Sequence, residues 1–99
     1  MNKYKEIFRL KEMMDKSGIP YTFNQNHFDG YHLMYPDKGD VVCSVVEFEG
    51  SYGYKEDRLE IQGLMTTEEK KETQDDVLGH LSAEDVFGRI AFHYLKESL

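Results

Sequence analysis

The chain has 99 residues, enough for one domain with its own core, and a formal net charge of −7. This acidic balance argues against sequence-independent binding of DNA or RNA and against anionic membranes, because both depend on clustered cations. Charged residues make up 31% of the chain, which is typical of a folded protein with a well-solvated surface. No apolar run approaches the ~20 residues of a membrane span, and the charged N-terminus does not resemble a signal peptide, so we expect a cytoplasmic protein.

Amphipathic helices are predicted at both ends of the chain. From about Lys3 to Lys16, apolar residues recur every three or four positions, and Gly18 with Pro20 ends this helix. Near the C-terminus, Ser82 is a predicted helix N-cap. The inward face of this last helix consists of Ala83, Val86, Phe87, Ile90, Ala91, Tyr94 and Leu95.

Strands are predicted between the two helices, at residues 21–24, 31–35, 41–48 and 58–64. The dipeptide Asp29-Gly30 supplies a turn after the first strand. The strand at 41–48 is apolar on both faces, as a central strand would be. The sequence therefore predicts an α+β fold, a two-layer sandwich with a four-stranded antiparallel sheet flanked by an N-terminal and a C-terminal helix.

Segment 66–81 and the second face of the sheet leave two alternatives open. If both helices cover one face, the central strand exposes apolar side chains on the other. Either segment 66–81 folds over that face, or the chain forms a homo-oligomer through the open face or a sheet edge. Thr66 and Glu69 have the spacing of a capping box, which predicts a short exposed helix within this segment.

Catalytic and metal-binding signatures are weak. Gly50-Ser51-Tyr52-Gly53 joins two strands, whereas a nucleophile elbow joins a strand to a helix. Cys43 lies in an apolar strand, where nothing nearby would activate its thiol. The four histidines are scattered, although a zinc site assembled from distant strands stays open. We expect no enzymatic activity, no metal and no cofactor.

The loop between the third and fourth strands is the strongest candidate for a ligand site. Its nine residues include two tyrosines that could stack on a base, and glycines and two cations that could meet an anion. The predicted ligand-binding residues are Gly50, Ser51, Tyr52, Gly53, Tyr54, Lys55 and Arg58, with Tyr31, His32 and Tyr35 as a neighbouring wall. The alternative is a plain hairpin connection, since Glu49, Glu56 and Asp57 dilute the positive charge.

The acidic stretch from Glu68 to Asp76 is a second candidate. Clustered carboxylates on a small acidic protein can imitate a nucleic-acid backbone and occupy a basic groove on another protein. The carboxylates concerned are Glu68, Glu69, Glu72, Asp75 and Asp76. Lys70 and Lys71 interrupt the stretch, so the alternative is a solvated connector.

Several short motifs extend over most of the chain. They are Asp29-Gly30-Tyr31, Tyr35-Pro36, Cys43-Ser44-Val45-Val46-Glu47 with Gly50-Ser51-Tyr52-Gly53, Leu59-Glu60-Ile61-Gln62-Gly63-Leu64, and Ala83-Glu84-Asp85-Val86-Phe87 with Arg89-Ile90. With these motifs the chain resembles a family of small proteins encoded by phages and prophages of Gram-positive bacteria. The resemblance brings no catalytic motif, but it implies an accessory protein that acts in the bacterial host cell against the host's defence.

Two functions follow as expectations. The first is a phage-type binding protein that sequesters a small nucleotide-like or phosphorylated ligand in the loop at 50–58. The alternative is an acidic protein–protein inhibitor of a bacterial defence effector, of the anti-CRISPR or nucleic-acid-mimic type. This inhibitor would bind through the acidic stretch rather than through the loop.

Overall fold

A computed structural model of the chain describes residues 4–73 and 75–99. Lys3, the predicted start of the first helix, lies outside the described residues. In chain order the elements are α1 (Lys5–Ser17), β1 (Thr22–His27), β2 (Gly30–Tyr35), β3 (Cys43–Glu47), β4 (Leu59–Gln62), α2 (Thr67–Glu72), β5 (Leu78–Leu81) and α3 (Ala83–Glu97). A single turn of 3₁₀ helix, Tyr54–Glu56, lies in the loop between β3 and β4.

The strands form one antiparallel sheet in which each strand pairs with the next along the chain. At its centre Leu33, Val45 and Ile61 lie opposite one another on adjacent strands. The predicted α+β class, with helices at both ends, is confirmed. The predicted number of four strands was wrong, because residues 78–81 add a fifth strand at the edge. This strand is only four residues long and contains Gly79 and His80, so its apolar pattern is too short to predict a strand.

One face of the sheet packs against α1 and α3 and forms the hydrophobic core. Alternation along each strand places every second side chain on this face. The side chains with no exposed surface include Ile7, Leu10 and Met14 from α1, Leu33, Val45, Leu59 and Ile61 from the sheet, and Val86 and Ile90 from α3. Burying one such aliphatic side chain is worth about 1.5–3 kcal/mol.

The helix boundaries use the capping residues that the sequence predicts. Gly18 ends α1 in the left-handed conformation, with φ 66°, and its N–H donates to the Asp15 carbonyl at 3.2 Å. The Ser82 hydroxyl accepts the Asp85 N–H at 3.1 Å at the start of α3. The capping box of α2 is confirmed, because the side chains of Thr66 and Glu69 each accept the other's backbone N–H.

The helix and strand of segment 66–81 lie beside α3 and along the edge of the sheet, and the segment reaches the second face at Val77. Its helix α2 is tied to α3 by the ion pair between Glu69 and Arg89, and β5 pairs along the edge of β4. Val77 alone among its described residues borders the groove that lies on the second face. Most outward side chains of the open face are partly or fully exposed, although Val46 is buried, and the positions of these side chains define the site described next.

Candidate functional site

The predicted loop does enclose a pocket. Residues 49–56 and His80 surround a volume of about 300 Å³. The loop is held by its own hydrogen bonds, since the Ser51 hydroxyl bonds to both the N–H and the carbonyl of Phe48, at 3.1 and 2.8 Å. Gly53 has φ 100°, and a Cβ there would lie 2.9 Å from the backbone of His80. Glycine is therefore required at position 53 by the fold itself.

The charges around this pocket do not suit an anion. Arg58 does not line it, and its guanidinium lies 3.5 Å from the carboxylate of Glu6. Lys55 shares the pocket with Glu49 and Glu56, and Glu56 also lies 3.1 Å from the His80 ring. A phosphate group entering the pocket would therefore meet one lysine beside two carboxylates.

Tyr52 and Tyr54 were predicted to stack on a ligand, but both make contacts within the chain. The Tyr52 hydroxyl donates to Asp75 at 2.9 Å, and this bond to a carboxylate raises the pKa of the phenol. The Tyr54 ring lies 5.9 Å from that of Tyr4, at the start of α1. The Tyr52 hydroxyl and the Tyr54 ring are therefore engaged with other segments of the chain, while Tyr52 as a whole remains 49% exposed.

The structure does not bring the predicted wall to the loop pocket. Tyr31 lies on the helix-covered face, where its ring packs 4.9 Å from that of Tyr4 and 4.8 Å from that of Phe8. Tyr35 is buried on the same face, with its hydroxyl 2.7 Å from the ring of His93. His32 alone of the three lies on the open face.

Two adjoining grooves occupy the open face and share a polar floor. The floor consists of His32, Ser44 and Gln62, and we call the combined feature the open-face groove. One part, of about 330 Å³, extends toward His27, Val46, Phe48, Glu60 and Val77. The other, of about 470 Å³, extends toward Met34, Val41, Val42 and Gly63. Volumes of this size are in the range of small-molecule sites.

Strand register explains why these side chains meet. Met34, Ser44 and Gln62 are successive cross-strand partners, so their side chains form one row over three strands. The row beside it contains His32, Val46 and Glu60, which are likewise paired across the strands. The sheet thus presents a hydroxyl, an amide, an imidazole and a carboxylate within two neighbouring rows.

His32 and Ser44 form the shortest polar contact of this floor, with Nε2 and Oγ separated by 2.6 Å. Partial burial, and then the nearby His27, lower the pKa of His32. The ring is therefore neutral at pH 7 and offers one donor and one acceptor. Among the described residues no carboxylate hydrogen-bonds to this ring, so the pair lacks the third member of a catalytic triad. The arrangement suits hydrogen bonding to a ligand better than nucleophilic catalysis.

An aromatic corner closes one end of the groove. The ring of His27 lies 4.7 Å from that of His32, 4.7 Å from that of Phe28 and 5.3 Å from that of Phe48. Phe28 also lies 5.3 Å from Phe48, yet its side chain remains 71% exposed. A large exposed aromatic side chain beside a polar groove is a typical ligand contact.

The backbone at this corner is strained. Phe28 and Asp29 have φ values of 51° and 63° and are the two central residues of the hairpin between His27 and Gly30. Phenylalanine is rare at positive φ, and such strain is concentrated at functional sites. The sequence predicted the turn at Asp29-Gly30, but Gly30 belongs to β2. A Cβ at Gly30 would overlap the Glu47 carbonyl oxygen and Phe48, so this glycine serves close strand packing.

Only part of the acidic stretch is available to a partner. Glu69 accepts two hydrogen bonds from Arg89, at 2.7 and 2.6 Å, and these bonds lower the pKa of Glu69 to about 2. Asp75 accepts the Tyr52 hydroxyl. Glu68, Glu72 and Asp76 are exposed. Gln74, which the stretch includes, lies outside the described residues.

Metal ligands, membrane-spanning helices and the single cysteine are considered next. Among residues 4–73 and 75–99 no group of three or more His, Cys, Asp or Glu side chains is placed to hold a metal ion. No helix in that part of the chain is both long enough and apolar enough to cross a membrane. Cys43 is buried, and burial raises the pKa of its thiol to about 12, as expected of a structural cysteine.

Comparison of the chain with protein-family models, with curated proteins and with solved structures gives no match.

Proposed function

We propose that this chain is a binding protein that captures a small, planar and polar ligand of the nucleobase or nucleotide class in the open-face groove. The observation that carries the proposal is the aromatic corner beside the polar floor, with a strained and exposed Phe28 at its rim. Such a combination offers stacking and in-plane hydrogen bonding at one place. These are the two interactions by which proteins recognise a heteroaromatic base.

The ligand would lie across the two cross-strand rows. Its ring would stack on Phe28 or Phe48, a contact worth about 1–3 kcal/mol for a base on an aromatic side chain. The Gln62 amide and the Ser44 hydroxyl each combine donors and acceptors. Oε1 of Glu60 already accepts the Tyr52 N–H at 2.9 Å, which leaves Oε2 as the acceptor for a ligand amino group.

The charge of the groove favours the base over the phosphate. No lysine or arginine lines the two described parts of the groove, whereas Glu60 does. We therefore expect a nucleoside to bind at least as well as its phosphorylated form. This moves the proposed site from the loop at 50–58 to the open face and retains the ligand class.

The biological setting remains part of the proposal. The resemblance to phage and prophage proteins supports a counter-defence role in the bacterial cytoplasm, in which capture would lower the free concentration of a nucleotide signal. A homo-oligomer is proposed through the same open face, because Val41 is 52% exposed and Phe48 is partly exposed there. The inhibitor alternative ranks lower because Glu69 and Asp75 are already engaged within the chain.

The test is a binding measurement with matched sets of nucleobases, nucleosides, nucleoside monophosphates and cyclic dinucleotides, by thermal unfolding and calorimetry. A ligand at about 100 times its dissociation constant adds about 2.7 kcal/mol to the free energy of unfolding, a shift of several degrees in a chain of this size. We expect one base to be selected, with its nucleoside binding no more weakly than its monophosphate.

Variants then locate the site. Phe28→Ala and Gln62→Leu should each weaken binding about tenfold, as expected for loss of a stacking ring or a hydrogen-bonding amide. Tyr52→Ala and Lys55→Ala, in the loop pocket, are the matched controls and should leave the affinity unchanged. Loss of binding in the loop variants alone would return the site to the loop. If no compound binds, capture of this ligand class is wrong, and charge reversal at Glu68 and Glu72 becomes the test of the inhibitor alternative.

A further inference from the structure

A second groove lies on the other side of the molecule, between α3 and the segment that follows β4. It has a volume of about 480 Å³ and is lined by Leu64, Met65, Thr66, Arg89, Phe92, His93 and Lys96. None of these residues belongs to the open-face groove or to the loop at 50–58. We call this feature the α3 groove.

The apolar wall of the α3 groove combines the exposed Phe92 with the partly buried Leu64 and Met65. The side chain of Phe92 is 67% exposed, although aromatic side chains of this size are usually covered. On the opposite side, Leu64 has φ 56°, a conformation that a leucine side chain rarely adopts. Strain of this kind and an uncovered ring at one groove are features of ligand contacts.

Positive charge is available at one end of this wall. The Lys96 ammonium lies 5.3 Å from the centre of the Phe92 ring, and no carboxylate of the described residues is within ion-pair distance of it. Arg89 differs, because it donates to the Leu64 carbonyl, to Glu69 and to Asp85 and is thereby neutralised. Lys96 is thus the cation of the groove that can meet a ligand anion.

His93 adds a second donor. Its Nδ1 lies 2.7 Å from the Tyr35 hydroxyl, and burial raises the pKa of that phenol, which therefore keeps its proton. When the phenol donates to Nδ1, the imidazole hydrogen is on Nε2. The groove then combines an apolar wall with an ammonium and an imidazole N–H.

We propose that the α3 groove binds an amphipathic carboxylate, a small molecule that joins one carboxylate to an apolar chain. The carboxylate would accept hydrogen bonds from Lys96 and His93, and the chain would lie against Phe92, Met65 and Leu64. The bond to Lys96 would be charge-assisted, and such hydrogen bonds are stronger than those between neutral groups.

The experiment uses octanoate as the probe, with octan-1-ol as its uncharged match and octyltrimethylammonium as its opposite in charge. Titrations are followed by backbone amide chemical shifts in the full chain. We expect octanoate to shift the amides of residues 64–66 and 89–96 and to bind more tightly than the alcohol, while the cation does not bind. Equal binding of all three probes, or shifts elsewhere, would overturn the proposal.

Two variant pairs sharpen the test. Lys96→Met should weaken octanoate about tenfold, the effect of losing a charge-assisted hydrogen bond, and leave octan-1-ol unchanged. Lys70→Met, on α2, removes an exposed lysine outside the groove and should change neither. Phe92→Ala should weaken both probes, whereas Phe28→Ala, which removes a ring of similar exposure on the opposite face, should affect neither.

Comparing the Phe28→Ala and Phe92→Ala variants also distinguishes binding in the α3 groove from the proposed binding of a base in the open-face groove. If no nucleobase compound binds, the octanoate result is unaffected. If octanoate does not bind, the proposed nucleobase site on the open face is unaffected. Unchanged octanoate affinity in Lys96→Met would contradict the ammonium's role even if octanoate binds to the groove.

Discussion

The carboxyl group of Glu47 lies fully buried beside the carboxylate of Asp57, which caps the first turn of α1. Asp57 accepts the backbone N–H groups of Lys5 and Glu6, at 3.1 and 3.3 Å. Glu47 has no exposed surface, and as a carboxylate it would find no hydrogen-bond donor of good geometry among the described residues, whereas its protonated form can donate to Asp57. Burial first, and then Asp57, raise the pKa of Glu47 to about 9. At pH 7 the Glu47 side chain is therefore protonated and uncharged.

Because Glu47 is buried beside Asp57, we expect the stability of the protein to fall as pH rises. The ordinary pKa of 4.5 applies to Glu47 in the unfolded chain, so between pH 4.5 and about 9 unfolding releases a proton. From pH 4 to pH 7 the ionisation of Glu47 should lower the free energy of unfolding by about 3 kcal/mol. Glu47→Gln, which is neutral at every pH, should remove this slope and be the more stable protein above pH 6.

Urea unfolding at several pH values measures the effect. Glu49→Gln, two residues further on and exposed, is the matched control and should retain the wild-type slope. An identical pH dependence in wild type and Glu47→Gln would show that Glu47 is ionised in the folded protein.

The glycines at 79 and 88 should respond to alanine with opposite signs. A Cβ at Gly79 would overlap the side chain and backbone of Tyr52, and we expect Gly79→Ala to cost about 3 kcal/mol through overpacking. Gly88 lies within α3 with open space around it, so Gly88→Ala should stabilise by about 0.5–1 kcal/mol through helix propensity. Thermal unfolding distinguishes them, and a stable Gly79→Ala would show that β5 and the loop do not approach as described.

Arg89 should be the side chain that fixes α2 to the body of the protein. Arg89→Met removes its bonds to Glu69, Asp85 and the Leu64 carbonyl, and we expect a loss of about 3 kcal/mol because Glu69 is left partly buried without its partner. Lys16→Met breaks an exposed pair with Glu12 and should cost at most about 0.5 kcal/mol.

The ion pair of Glu69 with Arg89 should make stability depend on pH in the opposite direction to Glu47. The folded-state pKa of Glu69, about 2, lies below its ordinary value of 4.5, so its contribution is complete above pH 4.5 and is lost as pH falls toward 2. Arg89→Met should lose this acid sensitivity. Equal acid sensitivity in both proteins would assign the effect to other carboxylates.

Phe28 should link stability to binding. Phe28→Asn places at φ 51° a residue that tolerates the left-handed conformation, and we expect it to stabilise by about 1 kcal/mol. The same change removes the stacking ring and should weaken the base ligand. Phe48→Leu keeps the backbone unchanged, so it should weaken the ligand without stabilising. A destabilised Phe28→Asn would mean that ring contacts with His27 and Phe48 outweigh the strain.

Local signals in the sequence predicted much of the fold. The capping residues Gly18 and Ser82 and the box of Thr66 with Glu69 depend on neighbours within a few positions, so their effect can be read along the chain. The fifth strand could not be read in this way. It depends on pairing with β4 and on the bond from the His80 N–H to the Tyr52 carbonyl, which lies in a distant loop.

The site was harder to predict than the fold. Tyr31 and Tyr35 were grouped with His32 by their closeness in sequence, but alternation along β2 sends the tyrosines to the core and His32 to the open face. The row of Met34, Ser44 and Gln62 depends on cross-strand register, which no local pattern contains. The positive φ angle at Phe28 carries no sequence signal, since phenylalanine is not a turn residue.

Both outer strands of the sheet are irregular. The pairing of β1 with β2 shifts between Asn24 and His27, and that of β5 with β4 shifts between Leu59 and Ile61. Within β5, His80 has φ 61°. Such irregularities oppose the lateral addition of a strand from another chain at both edges of the sheet. Two copies that meet through their open faces would instead form a closed pair and hide the groove, so that a second copy and a ligand would compete for the same surface.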